Sequence, residues 1–173
     1  WACWKTYVGR PEINSVRMSA MRQLGNVLLV TQRFADALSV QEAELSMARR
    51  LGAPEGALLT TQANLACSYH MVRRYEEALS MRREIYSGRL KLLGAENIKT
   101  LMAASNCSNT LIELKRFKEA KALMRQTLPV ARRVLGESDR IALKMRCCYA
   151  GALYQDPDAT LDDLREAVTT LED

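Results

Sequence analysis

The sequence has few of the residues that make turns, and few aromatic side chains. It contains only 8 glycines and 4 prolines, and aromatic residues account for 6% of the chain. An all-β fold needs a turn after every short strand, so this scarcity argues against a β-sandwich or barrel. Alanine, leucine, methionine, arginine and glutamate, which enter helices at little cost, are abundant instead. We therefore predict an all-α protein.

A long apolar segment is also missing. A membrane-spanning helix needs about 20 consecutive apolar residues, and the apolar stretch near the start, 27–30, is short. The opening residues 1–10 carry two basic side chains and do not resemble a signal peptide. We therefore expect no membrane partner. Because the chain begins at Trp1, we also expect it to be a piece of a longer protein.

The cysteines do not form a disulfide pattern. There are five of them, an odd number with irregular spacing, namely Cys3, Cys67, Cys107, Cys147 and Cys148. Such a set favours reduced thiols over a disulfide framework, and reduced thiols are typical of the cytosol. We therefore expect a cytoplasmic protein.

Catalytic and cofactor motifs are likewise scarce. His70 is the only histidine, and no serine or cysteine can be paired with it from spacing. The sequence lacks a C-x-x-C pair for zinc and a glycine-rich loop for phosphate. We predict that the protein is not an enzyme and has no metal or cofactor.

The strongest signal present is a repeat. The Leu-Gly pairs at 51–52, 93–94 and 135–136 recur every 42 residues. An aromatic residue, an alanine three positions later and a preceding basic residue keep nearly the same period: Phe34, Tyr75 and Phe117; Ala37, Ala78 and Ala120; Arg33, Arg74 and Arg116. A further basic column, Arg49, Lys91 and Arg133, lies three residues before each glycine. A period of this length is typical of stacked arrays, and the basic residues are expected near helix C-termini, where they offset the dipole.

Each repeat is predicted to contain two helices. In the second unit, an apolar stripe with helical spacing precedes a second helix at about 75–93, which Gly94 should end. One helix pair cannot bury both faces alone, so the pairs must stack. We predict an α-solenoid of about four stacked antiparallel helix pairs over 9–173, with residues 1–8 as the tail of a truncated helix. The predicted units are 9–52, 53–94, 95–136 and 137–173. In the last unit, Thr160 with Asp163 resembles a weak capping box that opens a final helix to Glu172.

The motif Asn64-Leu65-Ala66-x-x-Tyr69, followed by Arg74-Tyr75-Glu76-Glu77-Ala78, resembles the tetratricopeptide repeat. The period and the Leu-Gly ending are similar to the 42-residue variety of kinesin light chains, although Ala95-Glu96 stands near where that variety usually has His-Pro. The resemblance covers roughly residues 9–172. It implies a right-handed superhelix that acts as a scaffold and binds a peptide or protein on its concave face.

The resemblance also implies that the first helix of each pair lines the binding face. Beside the buried stripe, a second stripe at i, i+3 and i+7 consists of Gln23, Asn26 and Val30; Asn64, Cys67 and Met71; Asn106, Asn109 and Glu113; and Cys148, Gly151 and Gln155. Asparagine amides can pair with both N–H and C=O of an extended peptide. We predict a peptide groove there, while the alternative is that these amides bond neighbouring helices or water.

Other kinds of partner fit the same residues less well. A clamp for a C-terminal carboxylate needs cations on this stripe, and only Arg22 and Lys144 lie near it. A cargo adaptor of the kinesin-light-chain type would need a coiled-coil segment, and no long heptad segment is present. The net charge of +5 and five basic pairs could form a phosphate-binding ridge for RNA. Because glutamates alternate with those pairs, we favour a mixed-charge surface and expect no nucleic acid partner.

Overall fold

The computed structural model describes residues 11–172, with side chains from residue 15 onward, and this part of the chain forms eight helices without any strand. The helices are α1 Pro11–Val30, α2 Phe34–Arg50, α3 Glu55–Met71, α4 Tyr75–Leu93, α5 Ile98–Glu113, α6 Phe117–Leu135, α7 Arg140–Tyr154 and α8 Leu161–Glu172. The prediction of an all-α protein is confirmed. The predicted helix tail at 1–8 lies outside the described residues.

The chain divides between Arg74 and Tyr75 into two compact units. The first contains α1 to α3 and the second α4 to α8. In each unit consecutive helices pack on one another, and the first helices of successive pairs also touch, α1 with α3 and α5 with α7. Among the described helices, none combines the length and apolar character needed to cross a membrane.

Left-handed residues end the helices at fixed places in the repeat. Gly94 and Gly136 follow α4 and α6 with φ of +81° and +87°, so the predicted glycine stop is confirmed. The turn from first to second helix uses a left-handed residue as well, at Gln32, Arg73 and Lys115, with φ of 59°, 64° and 57°. A side chain in this conformation costs about 1–2 kcal/mol, so these turns are strained where the glycine turns are not.

The regular spacing of three alanines reflects close helix packing. Ala37, Ala78 and Ala120 are each 0% exposed. A methyl group at these positions leaves room for the neighbouring helix, which a larger side chain would push away. Pro129 lies inside α6, and the helix continues on both sides of it from Phe117 to Leu135.

The contact between each second helix and the following first helix is made at an equivalent position, which we call the joint position: Gln41, Arg82 and Met124. Gln41 in α2 accepts a hydrogen bond from Ser68 of α3 at 2.6 Å. Arg82 in α4 donates to the backbone carbonyl of Asn106 in α5 at 2.7 Å, and to the hydroxyl of Thr110.

Met124 in α6 lies in an apolar cluster with Met145 and Tyr149 of α7. All three joint side chains are buried. The joint position therefore accommodates an amide, a guanidinium or a thioether.

The basic columns have two different roles. Arg49, Lys91 and Arg133 lie in the last turns of α2, α4 and α6, as expected. Arg33 and Arg116 follow the ends of α1 and α5, where their backbone N–H groups donate to Leu28 and Leu111. They are also the N-cap residues of α2 and α6. There they pair with carboxylates of the first helical turn, Arg33 with Asp36 and Arg116 with Glu119, each at 2.6 Å. The ion pairs offset the unfavourable placement of a cation at a helix N-terminus.

The last helix begins with the expected capping box. The Thr160 hydroxyl accepts from the backbone N–H of Asp163 at 3.1 Å, and the Asp163 carboxylate accepts from the Thr160 N–H at 3.1 Å. The reciprocal bonds satisfy two N–H groups that have no partner within the helix. This confirms the interpretation of Thr160 and Asp163 as a helix start.

We expect the left-handed positions to respond oppositely to substitution. Gly94→Ala should lower the free energy of unfolding by about 1–2 kcal/mol, because alanine resists a positive φ. Space is not the cause, since nothing lies within 4 Å of an added Cβ. Lys115→Gly should raise the free energy of unfolding by up to about 1 kcal/mol, because the relief of backbone strain exceeds the added entropy of the unfolded chain.

Urea unfolding followed by circular dichroism measures both changes. Gly56→Ala is the control, since Gly56 lies in α3 without a positive φ and with open space around it. A loss of stability in Gly56→Ala as large as in Gly94→Ala would contradict the assignment to backbone conformation.

Candidate functional site

The first helices of the first unit form a surface that we call the α1–α3 wall: Gln23, Asn26, Asn64, Cys67 and Met71. Gln23 and Asn26 on α1, and Cys67 and Met71 on α3, are exposed. Asn64 is half-buried, and its amide makes no side-chain hydrogen bond with any residue that the structure describes. Its two N–H donors and its carbonyl oxygen are therefore available to a bound peptide.

The first helices of the second unit form the α5–α7 wall: Asn106, Asn109, Glu113 and the facing residues of α7. Asn106 and Asn109 are half-buried and Glu113 is exposed. The Nζ atom of Lys144 in α7 donates to Oδ1 of Asn106 at 2.9 Å. Oδ1 thus already accepts one hydrogen bond, whereas the amide N–H donors of Asn106 have no partner in the described part of the chain.

A pocket of about 330 Å³ opens on this wall, and we call it the α5–α7 pocket. It is lined by Met102, Ser105, Asn106, Arg140, Ile141 and Lys144. Arg140 and Lys144 are exposed and have no carboxylate partner within residues 15–172. The pocket thus combines two uncompensated cations with an apolar floor. An anionic group beside an apolar side chain fits this chemistry.

Sequence reasoning found only part of this pocket. It named Asn106, and it set a carboxylate clamp aside because the predicted stripe held no cation and only Arg22 and Lys144 lay near it. Arg140 was missed, although it precedes Lys144 by four residues and so shares its helix face. Met102 was missed too, although it precedes Asn106 by four residues. The useful signal was therefore one turn earlier than the stripe that we selected.

The predicted stripe fails on α7. Cys148 is buried in the apolar cluster with Met124 and Met145, and Gly151 is buried as well. Only Gln155, at the end of the helix, is exposed. The predicted extension of the groove over Cys148 and Gly151 is wrong, because α7 turns these positions toward its neighbours.

A larger pocket of about 560 Å³ lies among α6, α7 and α8, but its charges are paired. Arg125 contacts Glu166 at 2.9 Å, and Arg132 contacts Glu137 at 2.6 Å. Burial, followed by the bond to the Glu166 carboxylate, raises the pKa of Tyr149 in this pocket to about 12. With its arginines compensated, this pocket attracts an anionic ligand less than the α5–α7 pocket does.

Several arginines of the basic pairs form ion pairs with glutamates. Arg83 and Arg116 both contact Glu119, and Arg133 contacts Glu96 at 2.7 Å. The Arg83–Glu119 pair joins α4 to α6, and the Arg133–Glu96 pair joins α6 to the loop before α5. The Arg116–Glu119 pair is local to the start of α6. Phosphates would have to compete with carboxylates for these side chains, which weakens the case for an RNA-binding ridge.

Comparison with known sequences identifies the repeat. Two family profiles, both described as tetratricopeptide repeat, match residues 16–91 and 100–140, about two thirds of the chain. No curated protein matches the chain.

Solved structures with the same fold carry kinesin-light-chain names. A putative kinesin light chain from Podosopora anserina, with nearly identical TPR-like repeats, has a TM-score of 0.79 at 19% identity, over 98% of this chain and 78% of that one. A point variant of the same protein has a TM-score of 0.80 at 19% identity, over 98% and 78%.

BtubC (BKLC) from P. vanneervenii has a TM-score of 0.71 at 16% identity, over 92% of this chain and 70% of that one. At such identities the likeness shows the fold alone, and the predicted α-solenoid class is confirmed by it.

Thiol labelling tests which cysteines face the α1–α3 wall and which the core. Cys67 is exposed, whereas Cys107 is buried and burial raises the pKa of its thiol. In a brief pulse of iodoacetamide at neutral pH, Cys67 should react at least about tenfold faster than Cys107, because only the accessible thiolate reacts. Mass spectrometry of the digested chain measures both rates. In urea the two rates should be equal. Equal rates in the native state would contradict this placement.

Proposed function

Because the chain belongs to the tetratricopeptide repeat family, we propose that it is an interaction scaffold that binds a peptide or protein segment on the walls formed by its first helices. Repeats of this family generally serve protein–protein interaction, and stacked repeats offer extended surfaces for it. The observation that carries the proposal is the α5–α7 pocket, where two cations without carboxylate partners in the described chain lie beside apolar side chains.

The α5–α7 pocket suits an acidic residue next to an apolar one. Arg140 and Lys144 are four residues apart on α7, so one carboxylate can meet both. The half-exposed thioether of Met102 offers an adaptable apolar contact. The N–H donors of Asn106 can then donate to a backbone carbonyl of the same segment. These contacts would anchor one end of a bound peptide.

The α1–α3 wall supports the same proposal with different chemistry. It offers the amide of Asn64 beside the exposed side chains of Cys67 and Met71, without a cation in the set. An amide that can donate and accept binds extended backbone with little demand on sequence. We propose that this wall binds extended peptide backbone.

A cargo-adaptor role is the second candidate. It is favoured by the likeness to structures that carry the name of kinesin light chain. The two roles agree on a peptide-binding wall and differ in the parent protein, since a light chain joins its heavy chain through a coiled coil.

Selection from a displayed random-peptide library tests the α5–α7 pocket without a known partner. The chain should enrich peptides with an acidic residue beside an apolar one. The double variant Arg140→Glu/Lys144→Glu should lower the affinity for an enriched peptide by about tenfold or more, because charge-assisted hydrogen bonds contribute about 1.5–3 kcal/mol each. Fluorescence anisotropy measures this affinity.

Arg49→Glu/Arg50→Glu is the matched control, since it makes the same change in charge at exposed residues of α2. It should leave the affinity nearly unchanged at physiological salt. Equal weakening by both double variants would show that only overall charge matters, and enrichment of peptides without acidic residues would overturn the pocket assignment.

A further inference from the structure

The α5–α7 pocket carries more positive charge than a single carboxylate can balance. Arg140 and Lys144 are the charged residues that line it, and neither forms an ion pair in the described part of the chain. The carboxylate nearest to them in sequence, that of Asp139, instead accepts from the backbone N–H groups of Ile141 and Ala142 at the start of α7. A ligand group with two negative charges would therefore match this pocket better than a group with one.

A buried hydroxyl without a hydrogen-bond partner lines the same pocket. The side chain of Ser105 in α5 is 1% exposed, and its Oγ atom has no hydrogen-bond partner among the described residues. The thiol of Cys148 lies beside it, but a thiol is a weak donor and a weak acceptor. A buried hydroxyl that lacks a partner costs free energy until a ligand or a water bonds to it. Ser105 can therefore donate to an oxygen of a ligand in this pocket.

The donors of the pocket suit a phosphate group better than a carboxylate. The guanidinium of Arg140 can bind two oxygens of one phosphate side by side. Lys144 keeps N–H donors beyond the one that bonds to Asn106, and the Ser105 hydroxyl adds another. A phosphate monoester offers three terminal oxygens and a charge of about −1.5 to −2 at neutral pH. It would therefore satisfy both the charge and the donors of the pocket.

The other residues of the pocket favour a phosphate carried by a peptide. Among the described residues that line the pocket there is no aromatic ring, so a nucleobase would lack a stacking partner. Met102 and Ile141 lie beside the cations instead, and the half-exposed Met102 can contact an apolar neighbour of the modified residue. The N–H donors of Asn106 can bond to a backbone carbonyl. A modified side chain within a peptide supplies all of these groups together.

We propose that the α5–α7 pocket binds a phosphoserine or phosphothreonine of a partner peptide. Arg140 and Lys144 bind its phosphate oxygens, and the Ser105 hydroxyl donates to one of them. This inference rests on the proposed function, because it names the acidic group that the pocket takes. It also adds regulation, since the partner is bound tightly only while it is phosphorylated.

Three immobilised peptide libraries test this inference separately from the proposed function. They share the same random flanking residues and carry phosphoserine, glutamate or serine at the centre. At pH 7.5 the chain should bind the phosphoserine library about tenfold or more tightly than the glutamate library, because phosphate adds charge and a third oxygen. Equal binding to these two libraries would overturn this inference and leave the proposed function standing. Binding to none of the three would overturn both.

Two buried hydroxyls of α5 provide a matched pair of variants. Ser105 and Ser108 are 1% and 0% exposed and both lack a hydrogen-bond partner among the described residues, but only Ser105 lines the pocket. Ser105→Ala should lower the affinity for the phosphoserine library about threefold or more, because one bond to the phosphate is lost. Ser108→Ala should leave it unchanged, and circular dichroism checks that both variants fold. Equal effects of the two substitutions would contradict the placement of the phosphate at Ser105.

The pH dependence of binding identifies the phosphate itself. Between pH 7.5 and pH 5.5 the affinity for the phosphoserine library should fall about threefold, because the second ionisation of phosphate has a pKa of about 6. The glutamate library should respond little, because glutamate ionises near about pH 4.3. An affinity for phosphoserine that does not change over this range would overturn the proposal.

Competition distinguishes a phosphopeptide from other sources of phosphate. A soluble phosphoserine peptide should displace the chain from the phosphoserine library. Inorganic phosphate, and phosphatidylcholine vesicles that contain a phosphatidylinositol phosphate, should displace it at least about tenfold less effectively, because they lack the peptide groups that Asn106 and Met102 contact. Equal displacement by inorganic phosphate or by the vesicles would overturn the proposal in favour of a free anion or a membrane surface.

Discussion

The packing of each second helix on the following first helix is the interaction on which the rest of the structure depends. A single helix pair leaves an apolar face uncovered, so it is stable only when another helix packs on that face. In this chain the contact is fixed by one buried side chain in each repeat, Gln41, Arg82 or Met124. Ser68 and Thr110, which bond to Gln41 and Arg82, lie at equivalent places in α3 and α5, whereas Met124 packs in an apolar cluster with Met145 and Tyr149. The position in the second helix is thus kept while its chemistry varies.

The same contact fixes one residue of the proposed α5–α7 wall. Arg82 holds the backbone carbonyl of Asn106 from one side of α5, while Lys144 meets the side chain of Asn106 from another. A residue anchored through its backbone can present its side chain in a defined direction, which lowers the entropy lost when a ligand binds. The proposed α5–α7 wall therefore contains a residue whose backbone is held by a joint side chain.

The sequence was most informative where a single residue determines local backbone structure. Gly94 ended its helix as predicted, and Thr160 with Asp163 began one, because both effects act within a few residues. The burial of Arg82 could not be predicted, since a charged side chain in a mixed-charge helix normally lies at the surface. The pocket at Arg140 depends on the register between α5 and α7, and repeat spacing alone does not give that register to within one helical turn.

The most direct test compares one truncation at two equivalent positions. Met124 lies four residues after the buried Ala120, and Leu171 lies four residues after the buried Ala167. Met124→Ala removes a fully buried side chain beneath a following helix, whereas Leu171→Ala removes an exposed one where the described chain offers no such helix. In urea unfolding, Met124→Ala should lower the free energy of unfolding by about 2–5 kcal/mol. The free energy of unfolding of Leu171→Ala should stay within about 0.5 kcal/mol of that of the parent. Similar losses at both positions would contradict the account, because stability would then not come from the contact between successive helix pairs.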